Sequence, residues 1–138
     1  MRLKLDMNKA YDRIEWDFVQ AGFACDWVQL VMECISLVRF LVLLYGRSGT
    51  SFKPSRGIRQ GDPISPYFFI LVSDVLSSML NKAVEKGLVQ CMKFSGDGPI
   101  LSHFIFAHDS ILFLKATEKN CTTADCILRA YCHARVKW

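Results

Sequence analysis

Short apolar runs bounded by polar or turn-forming residues predict strands near both ends of the chain. Near the beginning, Leu3 to Met7 alternates enough to form a short strand that ends on a carboxylate. Near the end, Leu101 to Phe106 and Ile111 to Leu114 are apolar runs on either side of the polar pair His108-Asp109. This order predicts a hairpin that carries two titratable residues at its tip.

A first helix and another hairpin are predicted in the first half of the chain. Apolar residues recur with helical spacing over Asp17 to Ile35, with the aspartate as the predicted N-cap, although Gly22 disturbs the first turns. Val38 to Leu44 is rich in leucine and valine and predicts a strand. Gly46 to Gly49 then predicts a turn, after which Thr50 to Lys53 returns as the second strand.

Two longer helices complete the predicted elements. Asp62-Pro63 has the residue types of an N-cap and a first helical position, and Gly87 is placed to close the helix that they open. The last helix is predicted to begin at Asn120 and to continue to the end of the chain. Strands and helices in this order predict an α+β fold, with helices on one face of an antiparallel sheet. No repeat or linker divides the sequence, so we expect one domain over residues 1–138.

Composition excludes several classes of protein. A chain of 138 residues can bury a core, and its 51% hydrophobic content excludes a disordered chain. The formal charge of +4 is compatible with a polyanionic partner. Leu30 to Tyr45 is the most apolar stretch, but Glu33 and Arg39 interrupt it, so we expect no membrane span. The first residues lack the apolar stretch of a secretory signal, which predicts an intracellular protein of the cytoplasm or nucleus.

Six cysteines raise the questions of disulfides and of a metal site. Without an oxidising compartment, free thiols are the expected state. Cys121, Cys126, Cys132 and His133 contain zinc-binding residue types, but they lack the closely spaced cysteine pairs of structural zinc sites and fall on a predicted helix. We therefore expect no zinc site there.

Two carboxylates and one loop are the candidate functional groups. Asp6 and Asp109 would offer hard oxygen ligands at strand ends, as Mg²⁺ requires, although a single aspartate at such a position is more often a solvated charge. The turn from Arg56 to Pro66 contains two glycines that allow close approach of a ligand, and its Arg and Gln supply hydrogen-bond donors. The start of the following helix would add backbone N–H groups, with Asp62 more naturally a cap than a ligand.

Three segments together resemble the palm of a reverse transcriptase from a plant non-LTR (LINE-type) retrotransposon. They are Leu3 to Met7, Arg56 to Pro66 and Ile105 to Phe113, at the places usually labelled motifs A, B and C. Leu128 to Ala134 resembles the helix of motif D. The resemblance implies a polymerase palm-like antiparallel sheet packed on helices. It also implies a truncated domain, because the chain starts at motif A and stops before the primer-gripping turn and the thumb.

The resemblance also assigns roles to individual residues. Asp6 and Asp109 would be catalytic and would bind Mg²⁺, with Mn²⁺ as the alternative. Tyr11 would wall the sugar site and exclude a ribose 2′-hydroxyl. The implied nucleotide- and template-binding residues are Tyr11, Arg59, Gln60 and Gly61. An RNA template and a DNA primer would be the partners.

One departure from the family lies at the most important position. The family carries Asp-Asp where this chain has His108-Asp109, so His108 replaces a principal metal ligand. Imidazole is a poor Mg²⁺ ligand, and the change removes a negative charge beside the cations. Coulomb terms of several kcal/mol at an effective dielectric of about 20 correspond to a rate loss on the order of a thousandfold. We therefore expect impaired catalysis and weak metal binding; the alternative is that His108 recruits a softer metal such as manganese or zinc.

Three functional hypotheses follow from the sequence. The first is a remnant of a reverse transcriptase with impaired catalysis, and the second is an active polymerase fragment. The third is a non-catalytic nucleic-acid-binding or protein-interaction module co-opted from a retroelement, in which Lys53, Arg56 and Arg59 would contact phosphates. Apolar faces that a complete polymerase buries would be exposed here, which predicts self-association and poor solubility.

Overall fold

The computed structural model of the chain describes residues 1–6, 11–20, 23–93, 98–106 and 109–135. Within these ranges it contains seven strands and four helices. The strands are β1 (Arg2–Asp6), β2 (Leu43–Leu44), β3 (Arg47–Ser48), β4 (Met92–Lys93), β5 (Ile100–Leu101), β6 (His103–Phe106) and β7 (Asp109–Phe113). The helices are α1 (Trp16–Gln20), α2 (Cys25–Ser36), α3 (Ser65–Glu85) and α4 (Glu118–Arg135).

The main sheet has three antiparallel strands in the order β1-β7-β6. Side chains alternate between its two faces, and the residues of one face are the more buried along all three strands. Leu112 is fully buried in the central strand, where it is paired with Leu3 on one side and with His103 on the other. Antiparallel sheets packed with helices confirm the predicted α+β class.

The tip of the predicted hairpin differs from the sequence prediction. Asp109 is the first residue of β7 rather than part of a turn, and it is paired with Phe106 of β6. The run from Leu101 to Phe106 is divided between β5 and β6, and β5 pairs with β4 in a separate two-stranded ribbon that was not predicted. Ala107 and His108 lie outside the described residues.

Helix α3 forms the centre of the core. Its buried residues recur at intervals of three and four, as in an amphipathic helix, and it contacts both β6 and α4. By length and composition alone α3 could cross a membrane. Its buried apolar residues pack in the core of the domain, whereas Tyr67, Ile70 and Leu71 are exposed. The helix residues buried there are Ser65, Phe68, Phe69, Val72, Ser73, Leu76, Leu80 and Ala83.

The predicted end of α3 is confirmed, whereas its predicted start was wrong. Gly87 closes the helix as predicted: it has a φ of +65°, and its N–H donates to Val84 O at 2.9 Å while the N–H of Leu88 donates to Ala83 O. This is a Schellman arrangement. The predicted start at Asp62-Pro63 was wrong, because the helix begins at Ser65 with Ile64 as its N-cap. The Asp62 carboxylate accepts the Ile64 N–H at 3.0 Å in a turn before the helix.

Three other boundaries were also wrong. Extended backbone at Ala24 (ψ 141°) separates α1 from α2, so the predicted continuous helix is broken. The second hairpin turns at Tyr45-Gly46 rather than at Gly46 to Gly49, because both residues have the positive φ that a two-residue turn needs (51° and 77°). The return strand is β3, and only Phe52 of the predicted second strand pairs, with Phe40.

Helix α4 begins before Asn120, the predicted first residue. Thr117 accepts the Asn120 N–H through its hydroxyl at 3.3 Å, and the Asn120 side chain is buried. That side chain accepts from the Gln90 N–H at 3.0 Å and donates to Gln90 O and Lys115 O. Asn120 therefore connects the start of α4 to the chain segments beside β4 and β7. Its residue type is typical of a helix cap, but its side chain makes tertiary contacts instead.

The cysteines and the second hairpin complete the description. All six cysteines are free. Burial raises the pKa of the Cys91 thiol. The hairpin of β2 and β3 exposes large apolar side chains, and Tyr45 at its tip is fully exposed. Self-association through such a surface stays a prediction.

Candidate active site

The two predicted metal-binding carboxylates are brought together by strand pairing. Asp6, the last residue of β1, is the direct antiparallel partner of Asp109, the first residue of β7. Directly opposed residues on neighbouring strands have Cβ atoms about 5 Å apart and project from the same face. Both side chains lie on the less buried face of the sheet, so they form a pair of carboxylates accessible from solvent.

A lysine that was not predicted as functional completes this group. Lys4 lies two residues before Asp6 in β1, on the same face, and its Nζ is 3.2 Å from Asp109 Oδ2. Both side chains of this ion pair are partly exposed. A residue two positions before a strand-end aspartate shares its face, and that spacing was the available sequence signal.

Tyr11 connects the segment that follows β1 to helix α3. Its ring stacks on Phe69 with the ring centroids 5.1 Å apart, and its backbone carbonyl accepts the Ile58 N–H at 2.9 Å. Tyr11 is half-buried. Residues 7–10, between Asp6 and Tyr11, lie outside the described residues; the contacts described for Tyr11 are with α3 and with the loop.

The loop from Arg56 to Pro66 is attached to residues 11–16 by backbone contacts. The Gly57 N–H donates to Ile14 O at 2.7 Å, and the Gly57 carbonyl accepts the indole N–H of Trp16 at 2.7 Å. Gly57 has a φ of +80°, and a Cβ at this position would lie 2.8 Å from Asp12 O. The loop was predicted from the sequence, but Trp16 was not, although its indole N–H holds the loop against residues 11–16.

The predicted binding residues of the loop have free side-chain surfaces. Arg59 and Gln60 are exposed, and Arg59 is held through its backbone carbonyl, which accepts the Ser65 hydroxyl at 2.6 Å. Gly61 has a φ of +88° and open space where a Cβ would lie. The guanidinium and the amide are therefore available to a ligand while the backbone that carries them is fixed.

A cavity of about 230 Å³ lies beside the loop. Its apolar wall includes Ile35 and Phe40, and its charged residues are of both signs. The charged lining residues are Asp12, Arg56, Arg59 and Asp62. The Arg56 guanidinium is 3.7 Å from a Glu15 carboxylate oxygen, so part of this positive charge is compensated within the protein.

The donor set can accommodate Mg²⁺ with contributions from substrate. Among the described residues no group of three His, Cys, Asp or Glu side chains is placed to hold a metal ion. Mg²⁺ is usually bound through one or two protein carboxylates together with substrate phosphates, and Asp6 with Asp109 fits that pattern. The structure does not describe His108, so its predicted effect on the metal site remains a prediction.

Comparisons with known proteins identify the class. A family model described as reverse transcriptase (RNA-dependent DNA polymerase) matches residues 1–135, and the chain therefore belongs to the reverse transcriptase family. The chain is similar to an uncharacterized mitochondrial protein of Arabidopsis thaliana, with 41% identity over 70 residues. That match covers 51% of this chain and 57% of the relative, so it spans little more than half of the relative's length. The predicted family is confirmed.

Proposed function

We propose that residues 1–138 form the palm, with part of the fingers, of an RNA-directed DNA polymerase from a plant LINE-type retroelement, and that nucleotidyl transfer is impaired in this copy. The observation that carries the proposal is the direct pairing of Asp6 with Asp109 on the accessible face of the sheet. Phosphoryl transfer requires rigidly held oxygen ligands, and two adjacent strands hold a carboxylate pair more rigidly than loops would.

Asp6 and Asp109 would hold the divalent ion. When bound, Mg²⁺ would stabilise the charge that develops on the attacking and leaving oxygens. The strand register keeps the two carboxylates on one face, so they can serve one cation without rearrangement of the backbone. Mn²⁺, which tolerates similar oxygen ligands, is the alternative ion.

The Arg56 to Pro66 loop would bind the nucleotide and the template. Its exposed Arg59 and Gln60 supply charged and neutral donors for phosphates and base edges. Gly61, with no Cβ and open space around it, allows backbone to approach a ligand closely. Tyr11, stacked on Phe69, would wall the sugar site, and its carbonyl bond to Ile58 couples this wall to the loop.

His108 would account for the impairment. The residue immediately before Asp109 supplies a carboxylate in the family pattern, and here it supplies an imidazole with a weak preference for Mg²⁺. Restoring the aspartate returns one negative charge beside the cation. We therefore expect the change His108→Asp to raise activity, on the order of a thousandfold when the fold is unchanged.

Primer extension on an RNA template tests this proposal. We would compare the chain as it stands, His108→Asp, and the double variant His108→Asp with Asp6→Asn, each with Mg²⁺ and with Mn²⁺. The expected result is weak or no extension by the original chain, extension by His108→Asp, and its loss in the double variant. Extension that survives Asp6→Asn would show that the paired carboxylates are not the catalytic site.

Binding of the primer–template separates a damaged catalyst from a chain that never meets nucleic acid. Affinity for an RNA–DNA hybrid is measured at several salt concentrations, with Arg59→Ala and Gln60→Ala as variants. We expect both variants to weaken binding, and Arg59→Ala to flatten the salt dependence. Affinity without any extension by His108→Asp would instead support the non-catalytic nucleic-acid-binding module.

A further inference from the structure

The ion pair between Lys4 and Asp109 has a consequence for cation binding. We propose that Lys4 is a positioning residue: its ammonium holds the Asp109 carboxylate in the metal-free protein and competes with a divalent cation for it. This inference rests on the proposed function, because it assumes that Asp6 and Asp109 are the metal-binding pair. It deepens that function by adding a residue that sets how readily the pair accepts a cation.

The strand register places two negatively charged side chains opposite each other. Asp6 and Asp109 are direct partners, and like charges directly opposite each other on neighbouring strands are destabilising. The pairing extends along the whole of β1, so the carboxylates cannot separate without breaking the sheet. A positive charge beside them relieves the repulsion.

Lys4 supplies that charge from the same strand. Its Nζ lies 3.2 Å from Asp109 Oδ2, and it reaches there diagonally from the position opposite Ile111. The side chain is 62% exposed and that of Asp109 is 38% exposed, so the pair is accessible to ions from solvent. An exposed pair of this kind contributes little to stability and is readily exchanged for a stronger partner.

A divalent cation that binds Asp109 must therefore displace the ammonium or bind beside it. Either event weakens cation binding relative to a carboxylate pair without the lysine. A neutral side chain of similar length at position 4 would keep the packing of the stem and remove the competing charge. We expect Lys4→Met to tighten Mn²⁺ binding about five- to tenfold.

The affinity of the whole chain for Mn²⁺ measures this effect without any catalytic step. Binding is detected as the loss of the free-ion signal in electron paramagnetic resonance. Lys4→Arg keeps the positive charge and should bind Mn²⁺ within about twofold of the original chain. Arg2→Met is the matched control: it removes the same charge from the same strand and face, but opposite Phe113 rather than beside Asp109. We expect this control to change the affinity by less than about twofold, since screening weakens distant charges.

The outcomes separate this inference from the proposed function. Tighter binding in Lys4→Met alone supports it, whereas equal tightening in Arg2→Met would reduce it to an effect of net charge and overturn it. Asp109→Asn is measured in parallel. If Asp109→Asn weakens binding while Lys4→Met leaves it unchanged, the inference fails and the metal site stands. If Asp109→Asn has no effect, or no variant binds Mn²⁺, the proposed metal site fails and the inference with it.

Unfolding is monitored by circular dichroism so that a folding defect is recognised. Lys4→Gln provides a second neutral variant, and the proposal requires both neutral variants to bind Mn²⁺ more tightly than Lys4→Arg. A neutral variant that folds and binds no more tightly than Lys4→Arg contradicts it.

Discussion

The carboxylate pair and the Arg56 to Pro66 loop are both parts of the candidate site, but they are held in place by different interactions. The backbones of Asp6 and Asp109 are positioned by strand register, and their side chains remain near the surface, where Lys4 forms an ion pair with Asp109. The loop is positioned by particular groups, chiefly the Cβ-free Gly57 and the indole of Trp16. A sheet can therefore bring two candidate site residues together through its backbone, whereas a loop of this kind depends on a few individual residues.

The largest effect is expected from shortening a buried side chain in the central strand of the main sheet. Leu112 is fully buried in β7, and Leu112→Ala should lower the free energy of unfolding by about 3 to 5 kcal/mol. Ile111→Ala, the neighbouring change on the less buried face, should cost less than about half as much. Urea denaturation measures both. Equal losses would show that the two faces of the sheet do not differ as described.

The next largest effect concerns the loop. Gly57→Ala forces a Cβ towards Asp12 O at a positive φ, and we expect a loss of about 2 to 4 kcal/mol. Gly61→Ala is matched to it, since its φ is also positive but its surroundings are open, and should cost about 1 to 2 kcal/mol. Thermal unfolding compares the pair. If both changes cost the same, the close approach of the loop to Asp12 has no energetic role.

A smaller effect is expected from the indole that aligns the loop. Trp16→Phe removes the donor to the Gly57 carbonyl and should cost about 1 to 2 kcal/mol. It should also speed hydrogen exchange of the Gly57 and Ile58 amides, which are bonded to residues 11–16. Trp27→Phe, in a ring that packs on Phe68, is the control for lost ring area. Exchange that is unchanged by Trp16→Phe would contradict the proposed attachment.

The smallest effect is a pH dependence at the edge of the sheet. Burial lowers the pKa of His103 below 6.5, because a half-buried imidazolium loses hydration. The stability that depends on neutral His103 is thus present above pH 6.5 and is lost as pH falls from 6.5 through the folded pKa. The ring nitrogens lie 2.8 Å from the hydroxyls of Ser77 and Ser102, and Asp74 lines the same cavity.

His103→Gln should therefore reduce the loss of thermal stability between neutral and mildly acidic pH. His133→Gln, in an exposed position on α4, is the control and should leave the pH dependence unchanged. The midpoint of thermal unfolding at several pH values measures the difference. An unchanged slope in His103→Gln would exclude this histidine as its source.

The predictions that succeeded depended on local chemistry. Gly87 ended α3 because a residue with positive φ and no Cβ penalty is needed directly after a helix, whatever surrounds it. The predicted strands near Asp6 and Asp109 form because an alternating segment or a short apolar run beside polar residues favours a strand through its own residues. The α+β class follows from the order of such elements.

The predictions that failed depended on contacts between distant segments. Asn120 has a typical capping side chain, but its partners are Gln90 and Lys115, so its position in α4 could not be predicted from local sequence. Asp62 is different, since its carboxylate accepts the N–H of Ile64, two residues further along the chain, in a local turn before the helix. The ribbon of β4 and β5 was missed because each strand has only two residues, too few to show a period.

By itself, the sequence determined that Asp6 and Asp109 lie near strand ends and that a glycine-containing loop lies between them along the chain. This order is typical of the reverse transcriptase family. The tertiary structure decided that the two aspartates are directly opposed, that Lys4 reaches one of them, and that Trp16 holds the loop. The physical reason is that alternation and capping depend on neighbouring residues, whereas register depends on pairing between strands separated by most of the chain.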